Sequence, residues 1–333
     1  MVTGQNQVIL QKSELDTENL QPDELLIESE CTFISAGTEL ANYTGLDANV
    51  FLPGTWCSYP WKSGYANVGT VRATGSGVTR AAVGDRVFSY GNHASMVRYN
   101  QSRLLIRVPD ELPSDLASAS RMVGVAMTAG LIAEIGYDRW AAIFGLGSVG
   151  NLTAQVLQIL GCRVIGVDPV PARRELAERC GIERTVGGDP QSVIEQIKAI
   201  SGGEGAAITV DAVGDSRVIM QAMAATAMQG QVVILGTPRA PVEGNLTELL
   251  ATIHTRRLTV HGAHEWRVPM YPAIGYDMSQ FKKQEAVFDW MARGKIQLAP
   301  LISHRVAPEA IKSAYDGLLE QRESYTGVVL EWT

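Results

Sequence analysis

Apolar and polar positions fall into two textures along the chain. Up to about residue 110, short apolar runs are cut by glycine and proline, and long helical periods are scarce. The stretches at 24–28 and 65–71 read as strands, and 83–88 reads as a turn entering a third. This texture predicts a small barrel or a folded sheet. From about Trp140 strict alternation takes over. Strands at 141–144, 163–167 and 184–186 are each followed by a helical period, at 149–160, 172–180 and 191–199. Segments 207–211, 216–227, 231–235, 246–255 and 258–262 continue the series. Continuous apolar strands between amphipathic helices predict a parallel sheet covered on both faces, a doubly wound α/β arrangement. Beyond Gly262, a stretch marked by Pro269 and Pro272 leads to helical periods at 279–293 and 308–320 and strands at 298–305 and 327–332. No internal repeat or low-complexity linker interrupts the pattern. The economical reading is a sheet domain over 123–266 inserted into a β-rich domain built from 1–122 and 267–333.

The first strand of the alternating region carries the most chemistry. Ala141-Ala142-Ile143-Phe144 runs into Gly145-Leu146-Gly147-Ser148-Val149-Gly150, the G-x-G-x-x-G pattern between a strand and a helix. Gly145 permits the tight turn, Gly147 lets backbone approach a pyrophosphate, and Gly150 lets helix pack on strand. Ser148 and Val149 open the helix whose N–H groups and positive dipole end face the phosphates. Asp168 closes the next apolar strand, about twenty residues on, where a carboxylate accepts bonds from the adenosine ribose hydroxyls and repels a 2′-phosphate. The six strands match the full dinucleotide-binding count. NAD is therefore the expected cofactor. Arg173 and Arg174 follow closely, and they either cover the adenine or approach a phosphate, or serve as plain surface charges in the first turn of a helix.

Composition narrows the setting. The chain has 333 residues, 46% hydrophobic and 19% charged, as in an ordinary globular enzyme. Its net charge is 28 − 35 = −7 with no run of Lys or Arg, which argues against a nucleic-acid partner. Cys31, Cys57, Cys162 and Cys180 are scattered with no C-x-x-C pair, as expected of reduced, buried thiols. No basic-then-apolar leader is evident, and no apolar run reaches the roughly 18 residues of a membrane span. The expectation is a cytoplasmic protein with a small-molecule substrate, no membrane and no nucleic acid.

Several segments resemble the medium-chain dehydrogenase/reductase superfamily, and the resemblance covers nearly the whole chain. Ile34-Ser35-Ala36-Gly37-Thr38-Glu39 resembles the segment written G-x-C-G-T-D, which carries the first catalytic zinc ligand. Ser63-Gly64-Tyr65-Ala66-Asn67-Val68-Gly69 resembles G-H-E-x-x-G, and Val83-Gly84-Asp85-Arg86-Val87 matches the V-G-D-R-V turn. Leu301-Ile302-Ser303-His304-Arg305, followed by Ala314-Tyr315, resembles the C-terminal stretch. The resemblance implies a GroES-like β-rich catalytic domain beside a Rossmann domain, an oxidoreductase activity, and a homodimer joined through 258–260.

The departures decide the metal question. Ala36 stands where zinc-dependent members have cysteine, and Tyr65 and Ala66 stand where they have histidine and glutamate. The third ligand falls near Arg121-Met122, where neither Cys nor Glu occurs. The four-cysteine lobe is absent too, because Phe88 to Met96 leads directly into Val97-Arg98-Tyr99. Catalytic zinc needs three protein ligands, so no metal and a zinc-independent site are expected. The S-x-G-T-E form, G-Y-x-x-V-G, Glu265-Trp266 and the Val329-Leu330-Glu331-Trp332 ending resemble the bacteriochlorophyllide dehydrogenase-like branch, which implies oxidation of a secondary alcohol to a ketone with NAD.

Without zinc, other donors must stabilise the alkoxide and deliver a proton. Tyr65 either donates to that oxygen, as acid or base if its pKa is lowered, or fills the volume vacated by the metal. Ser35 and Thr38 belong to the same inward-facing segment, with Thr38 a candidate for the substrate or the nicotinamide ribose. Glu39 is either functional or the buried partner of an arginine, and His93 sits in a G-x-H-A turn. His261 and His264 have an H-x-x-H spacing, but positions i and i+3 of a strand face opposite ways. His264 is a weaker proton-relay candidate and Trp266 a pocket wall. Trp56, Tyr59, Trp61 and Lys62 form an aromatic loop that either lines the cleft mouth or packs on the surface. The expected function is interconversion of a secondary alcohol and a ketone. Its rivals are a quinone- or enoyl-type double-bond reductase using NAD(P)H and a non-catalytic NAD(H)-binding sensor.

Overall fold

A computed structural model describes residues 1–332. The chain divides into two units: Met1–Gly124, Trp266–Gly294 and from Leu301 onward form the first, and Val125–Glu265 with Lys295–Pro300 form the second. Trp266 thus falls in the first unit rather than the sheet domain. No feature of the hydrophobic pattern announces the short return of 295–300 to the second.

The first unit opens with the hairpin β1 (Val2–Gly4) and β2 (Gln7–Val8) and the long β3 (Glu24–Phe33). β3 runs five residues beyond the predicted strand, because buried polar side chains mask its second half. One of them, Ser29, accepts a bond from Asn67 Nδ2 at 2.6 Å. Helix α1 (Ala36–Tyr43) follows, then β4 (Asn67–Thr74), β5 (Arg86–Ser89), β6 (Met96–Asn100) and β7 (Leu105–Arg107). Helix α2 (Ser114–Ile132) carries the chain across the unit boundary. It escapes pattern reading because it is buried on nearly all sides from Ala117 to Ala129, so no polar stripe marks a helical period.

The second unit holds β8 (Trp140–Phe144), α3 (Ser148–Ile159), β9 (Arg163–Val167), α4 (Pro171–Arg179), β10 (Thr185–Val186), α5 (Pro190–Ile200), β11 (Ala206–Asp211), α6 (Ser216–Ala225), β12 (Thr226–Ile234), α7 (Leu246–Arg256) and β13 (Thr259–Gly262). All six strands are parallel, in the order β10-β9-β8-β11-β12-β13. Alternate residues feed two cores: Ala141, Ile143, Val164, Ile208 and Val210 on one face, Ala142, Phe144, Ile165 and Val167 on the other. The strand order reverses direction at β8, so the crevice at its C-terminal end is the topological switch point of the sheet.

The chain returns through α8 (Gln280–Ala292), β14 (His304–Val306), α9 (Ile311–Glu320) and β15 (Val328–Glu331). The strand expected over 298–305 is confined to its end. Pro300, which lacks an N–H, sits in a 3₁₀ turn over Ala299–Leu301. The first unit's sheet runs β14-β15-β3-β4-β5-β7, with β6 also paired to β3. Antiparallel pairing of Thr32 with Asn67 brings the exit of β3 beside the entry of β4, and so the 35–39 segment beside Tyr65. All four cysteines are free and buried, and burial pushes the Cys31 thiol up to about 12. Among the described residues, no helix is long and apolar enough to cross a membrane.

Candidate functional site

In the second unit, the turn between β8 and α3 has the geometry its glycines predict. Gly145 adopts φ +91°, and its N–H donates to the Val167 carbonyl at 2.7 Å. A Cβ on Gly150 would lie 1.7 Å from the Gly145 oxygen, so no other residue fits there. A Cβ on Gly147 would meet nothing within 4 Å, which leaves open space over the backbone at the N-cap of α3. Ser148 and Val149 begin that helix at its positive end. Asp168 is 2% exposed and braces the turn from the next strand. Its Oδ2 accepts the Leu146 N–H at 2.8 Å, its Oδ1 accepts the Val170 N–H at 2.8 Å, and Arg173 approaches Oδ2 at 3.8 Å. Each oxygen keeps a second lone pair for a hydroxyl. Arg174 instead holds the backbone carbonyls of Asp168 and Pro169. His264 follows β13 in this unit and is exposed, while His261 Nε2 lies 3.1 Å from Gln231 Oε1.

Pattern reading missed one acid in this unit. Asp211, at the end of β11, is fully buried and accepts the N–H groups of Val213 and Gly214 at 3.1 Å. Burial pushes its carboxyl up to about 6, against those two bonds.

In the first unit, three of the four predicted hydroxyl and proton-relay residues meet. The Tyr65 hydroxyl donates to Ser35 Oγ at 2.5 Å. Its phenol is raised by burial, opposed by the Arg121 guanidinium, raised again by the Glu39 charge, and drawn down by the Ser35 and Thr38 hydroxyls. The sequence-based condition for acid–base work was a lowered pKa. The structure corrects that: Tyr65 is a protonated donor at neutral pH.

Glu39 is the hub beneath these hydroxyls and is fully buried. Its Oε1 accepts the Ser35 N–H at 2.8 Å, and its Oε2 accepts the Tyr315 hydroxyl at 2.5 Å. Its buried side-chain partner is His93, 3.0 Å away through Nε2, and not an arginine. Facing a carboxylate, that nitrogen carries the proton, while Nδ1 lies 2.8 Å from Thr32 Oγ1, which also accepts the Trp332 indole N–H at 2.9 Å. Gly64 makes this packing possible: at φ +93°, a Cβ there would lie 2.5 Å from the His93 backbone nitrogen and 2.8 Å from its Nδ1. Burial raises the Tyr315 phenol well above its usual value, and the Glu39 charge adds to that.

Arg121, on α2, completes the cluster and is only 2% exposed. Its guanidinium carbon lies 5.1 Å from the Tyr65 ring centroid and 4.7 Å from that of Tyr90. Trp266, half exposed, meets Tyr90 edge-on at 5.9 Å. Trp56 is exposed and edge-on to the buried Trp61 at 5.8 Å, and Lys62 is exposed on the same loop. Neither Arg121 nor Tyr315 was marked as a site residue by the sequence reading. The one available signal was the position of Arg121 where a third zinc ligand would fall.

Comparison with known proteins agrees with this architecture. The family described as zinc-binding dehydrogenase matches residues 148–274. D-guloside 3-dehydrogenase of Shigella flexneri is 24% identical over 261 residues, 76% of this chain and 73% of that protein. L-threonine 3-dehydrogenase of Bacillus licheniformis is 27% identical over 216 residues, 62% of this chain but only 56% of the relative. Among solved structures, an oxidoreductase/dehydrogenase of unknown specificity from Escherichia coli superimposes with a TM-score of 0.83 at 17% identity, covering 99% of this chain and 97% of the other. The 2R,3R-butanediol dehydrogenase of Bacillus subtilis gives 0.78 at 21%, covering 98% and 97%. The fold is that of the medium-chain dehydrogenases/reductases. The chain is an enzyme, similar over residues 148–274 to the zinc-binding dehydrogenases and over most of its length to curated dehydrogenases.

The family's description implies zinc, and the residues here do not fit it. The segments that resemble the superfamily's zinc-ligand motifs hold Ala36, Tyr65, Ala66 and the neighbourhood of Arg121. Among the described residues, no group of three or more His, Cys, Asp or Glu side chains is placed to hold a metal ion. Glu39 and His93 are committed to one another and to Tyr315, and a guanidinium already brings positive charge to the cluster.

Proposed function

We propose that the protein is a zinc-independent, NAD-dependent dehydrogenase of the bacteriochlorophyllide dehydrogenase-like branch, interconverting a secondary alcohol and a ketone. The observation that carries this reading is the Tyr65 phenol, hydrogen-bonded to Ser35 in a segment that resembles a zinc-ligand motif. Relatives named as dehydrogenases of a guloside, of threonine and of butanediol support an alcohol–ketone couple. Solved neighbours bound to NADH and to NADP support a nicotinamide carrier. Asp168 favours NAD, because a buried carboxylate repels a 2′-phosphate.

The residues divide the work. The 145–150 turn and the positive end of α3 hold the pyrophosphate, and Asp168 accepts the ribose hydroxyls. The cofactor, when bound, supplies or accepts a hydride. Tyr65 turns its O–H from Ser35 to the substrate oxygen and gives up the proton as a carbonyl is reduced. Ser35 and Thr38 then donate to the phenolate oxygen left behind. Because burial raises the phenol, this favours reduction at neutral pH and makes oxidation faster in alkaline solution.

The test is turnover of NADH with a panel of ketones, alcohols, quinones and enones before and after exhaustive chelation. Ketone reduction unaffected by chelation, and lowered about 10²- to 10⁴-fold in Tyr65→Phe with NADH affinity unchanged, is the expected outcome. One tightly bound zinc per chain, or full activity in Tyr65→Phe, overturns the mechanism. Turnover of enones alone, with NADPH, replaces it with double-bond reduction.

A further inference from the structure

We propose that Arg121 is a positioning residue that supplies, as a fixed internal guanidinium, the positive charge acting on the Tyr65 oxygen. This inference rests on the reading that Tyr65 handles the substrate proton. It comes from three observations that converge in the first unit. Tyr65 and Arg121, in two segments that resemble different zinc-ligand motifs, meet in space, the guanidinium carbon being 5.1 Å from the Tyr65 ring centroid. The cation is held rather than solvated, since Arg121 is 2% exposed and also faces the Tyr90 ring at 4.7 Å. Finally, the opposite charge lies on another element: Glu39 of α1, with His93, Tyr315 and the Ser35 amide gathered on its carboxylate.

The geometry makes Tyr65 the meeting point of two buried charges of opposite sign. Arg121 favours negative charge on the phenol oxygen, and Glu39 disfavours it. In ketone reduction the proton leaves Tyr65 for the carbonyl oxygen, the O–H bond breaks, and the phenolate formed is stabilised by the guanidinium. A zinc-dependent relative draws such stabilisation from its metal. Arginine suits a permanent role because it is not deprotonated in proteins and its planar cation packs against aromatic rings. The groups facing Tyr65 are Arg121 from α2, Glu39, Ser35 and Thr38 at α1, and Tyr315 from α9, with His93 and Tyr90 behind them.

The test places a difluorotyrosine at position 65, so that its phenol ionises within an accessible pH range, and follows its ¹⁹F resonance without any substrate. Arg121→Met should raise the ionisation midpoint by about one pH unit or more, Arg121→Lys should restore it towards the parent value, and Glu39→Gln should lower it. Unequal signs for the two charge removals are an outcome that loosened packing does not produce. A second arm measures ketone reduction. Arg121→Met should cost about tenfold or more in kcat in the parent and less than about twofold in the Tyr65→Phe background, with NADH affinity unchanged in both. A midpoint unmoved in Arg121→Met, or an equal kcat loss in both backgrounds, overturns the proposal. If the parent protein turns over no substrate, the functional reading fails while the ¹⁹F titration still decides the role of Arg121. Should Arg121→Met not fold, Arg121→Gln and Glu39→Gln decide it: opposite signs support it, and equal signs or no shift overturn it.

Discussion

Gly147 and Gly150 stand three residues apart in one motif, and the structure asks different things of them. Gly150 is required by the fold, since a Cβ there would stand 1.7 Å from the Gly145 carbonyl oxygen. Gly147 has open space around it, so only an incoming ligand gives a Cβ anything to meet. Gly147→Ala should therefore leave the melting temperature within about 2 °C of the parent and weaken NADH binding about tenfold or more. Gly150→Ala should cost about 3 kcal/mol or more of stability. Calorimetry with a nucleotide titration on both variants checks this, and a Gly147→Ala protein that binds NADH normally removes the pyrophosphate from the turn. Such residues were legible in the sequence because backbone geometry alone demands glycine, and a strand end alone places Asp168. The Glu39–His93–Tyr315 cluster was not legible. His93 and Tyr315 lie 54 and 276 residues from Glu39, and the pairing of β5 with β4 and of β6 with β3, with the placing of α9, brings them together.

At the scale of elements, legibility followed amphipathicity. Most of the alternating strands and helices of the second unit were read to within a residue or two, because most have one buried side or are short, largely apolar strands, whereas β12 begins at Thr226, five residues before the expected 231–235. α2 was lost because burial surrounds it, and α1 because its eight residues are too few to show a period. The end of β11 holds a pH-dependent term that no pattern reveals. Burial raises Asp211 from 3.8 to about 6, so the folded state favours its protonated form. A raised carboxyl stabilises the fold fully below about pH 4, and that contribution is lost as pH rises through about 6, a change of about 3 kcal/mol. Asp211→Asn lacks this dependence. The difference in melting temperature, variant minus parent, should therefore climb between pH 4 and pH 7, whatever its offset. A flat or falling difference shows that the carboxylate is accommodated as a charge.

At the scale of the whole molecule, an exposed sheet edge of the second unit offers a surface for self-association. β13 forms the edge of the second unit's parallel sheet, with Thr259 exposed and Val260 37% exposed. Beside it in sequence, α7 has no fully buried residue, and Leu246 and Leu250 are 65% and 56% exposed. An open sheet edge offers unpaired N–H and C=O groups, and natural proteins blunt such edges with lysine, proline or a bulge. Val260 does none of this. A two-fold axis at this edge would pair β13 with its own copy in antiparallel fashion and join two six-stranded sheets into one, a self-complementary contact of the kind closed dimers use. The expected outcome is a homodimer by size-exclusion chromatography with light scattering. Val260→Lys should shift it to monomer at micromolar concentration, because the lysine leaves strand pairing possible but adds like charges facing across the axis. NADH affinity should survive in the monomer, since the glycine turn and Asp168 lie at β8 and β9, three and four strands from that edge. A wild-type protein that is monomeric at high concentration, or a Val260→Lys protein that stays dimeric, rules out this edge as the joint.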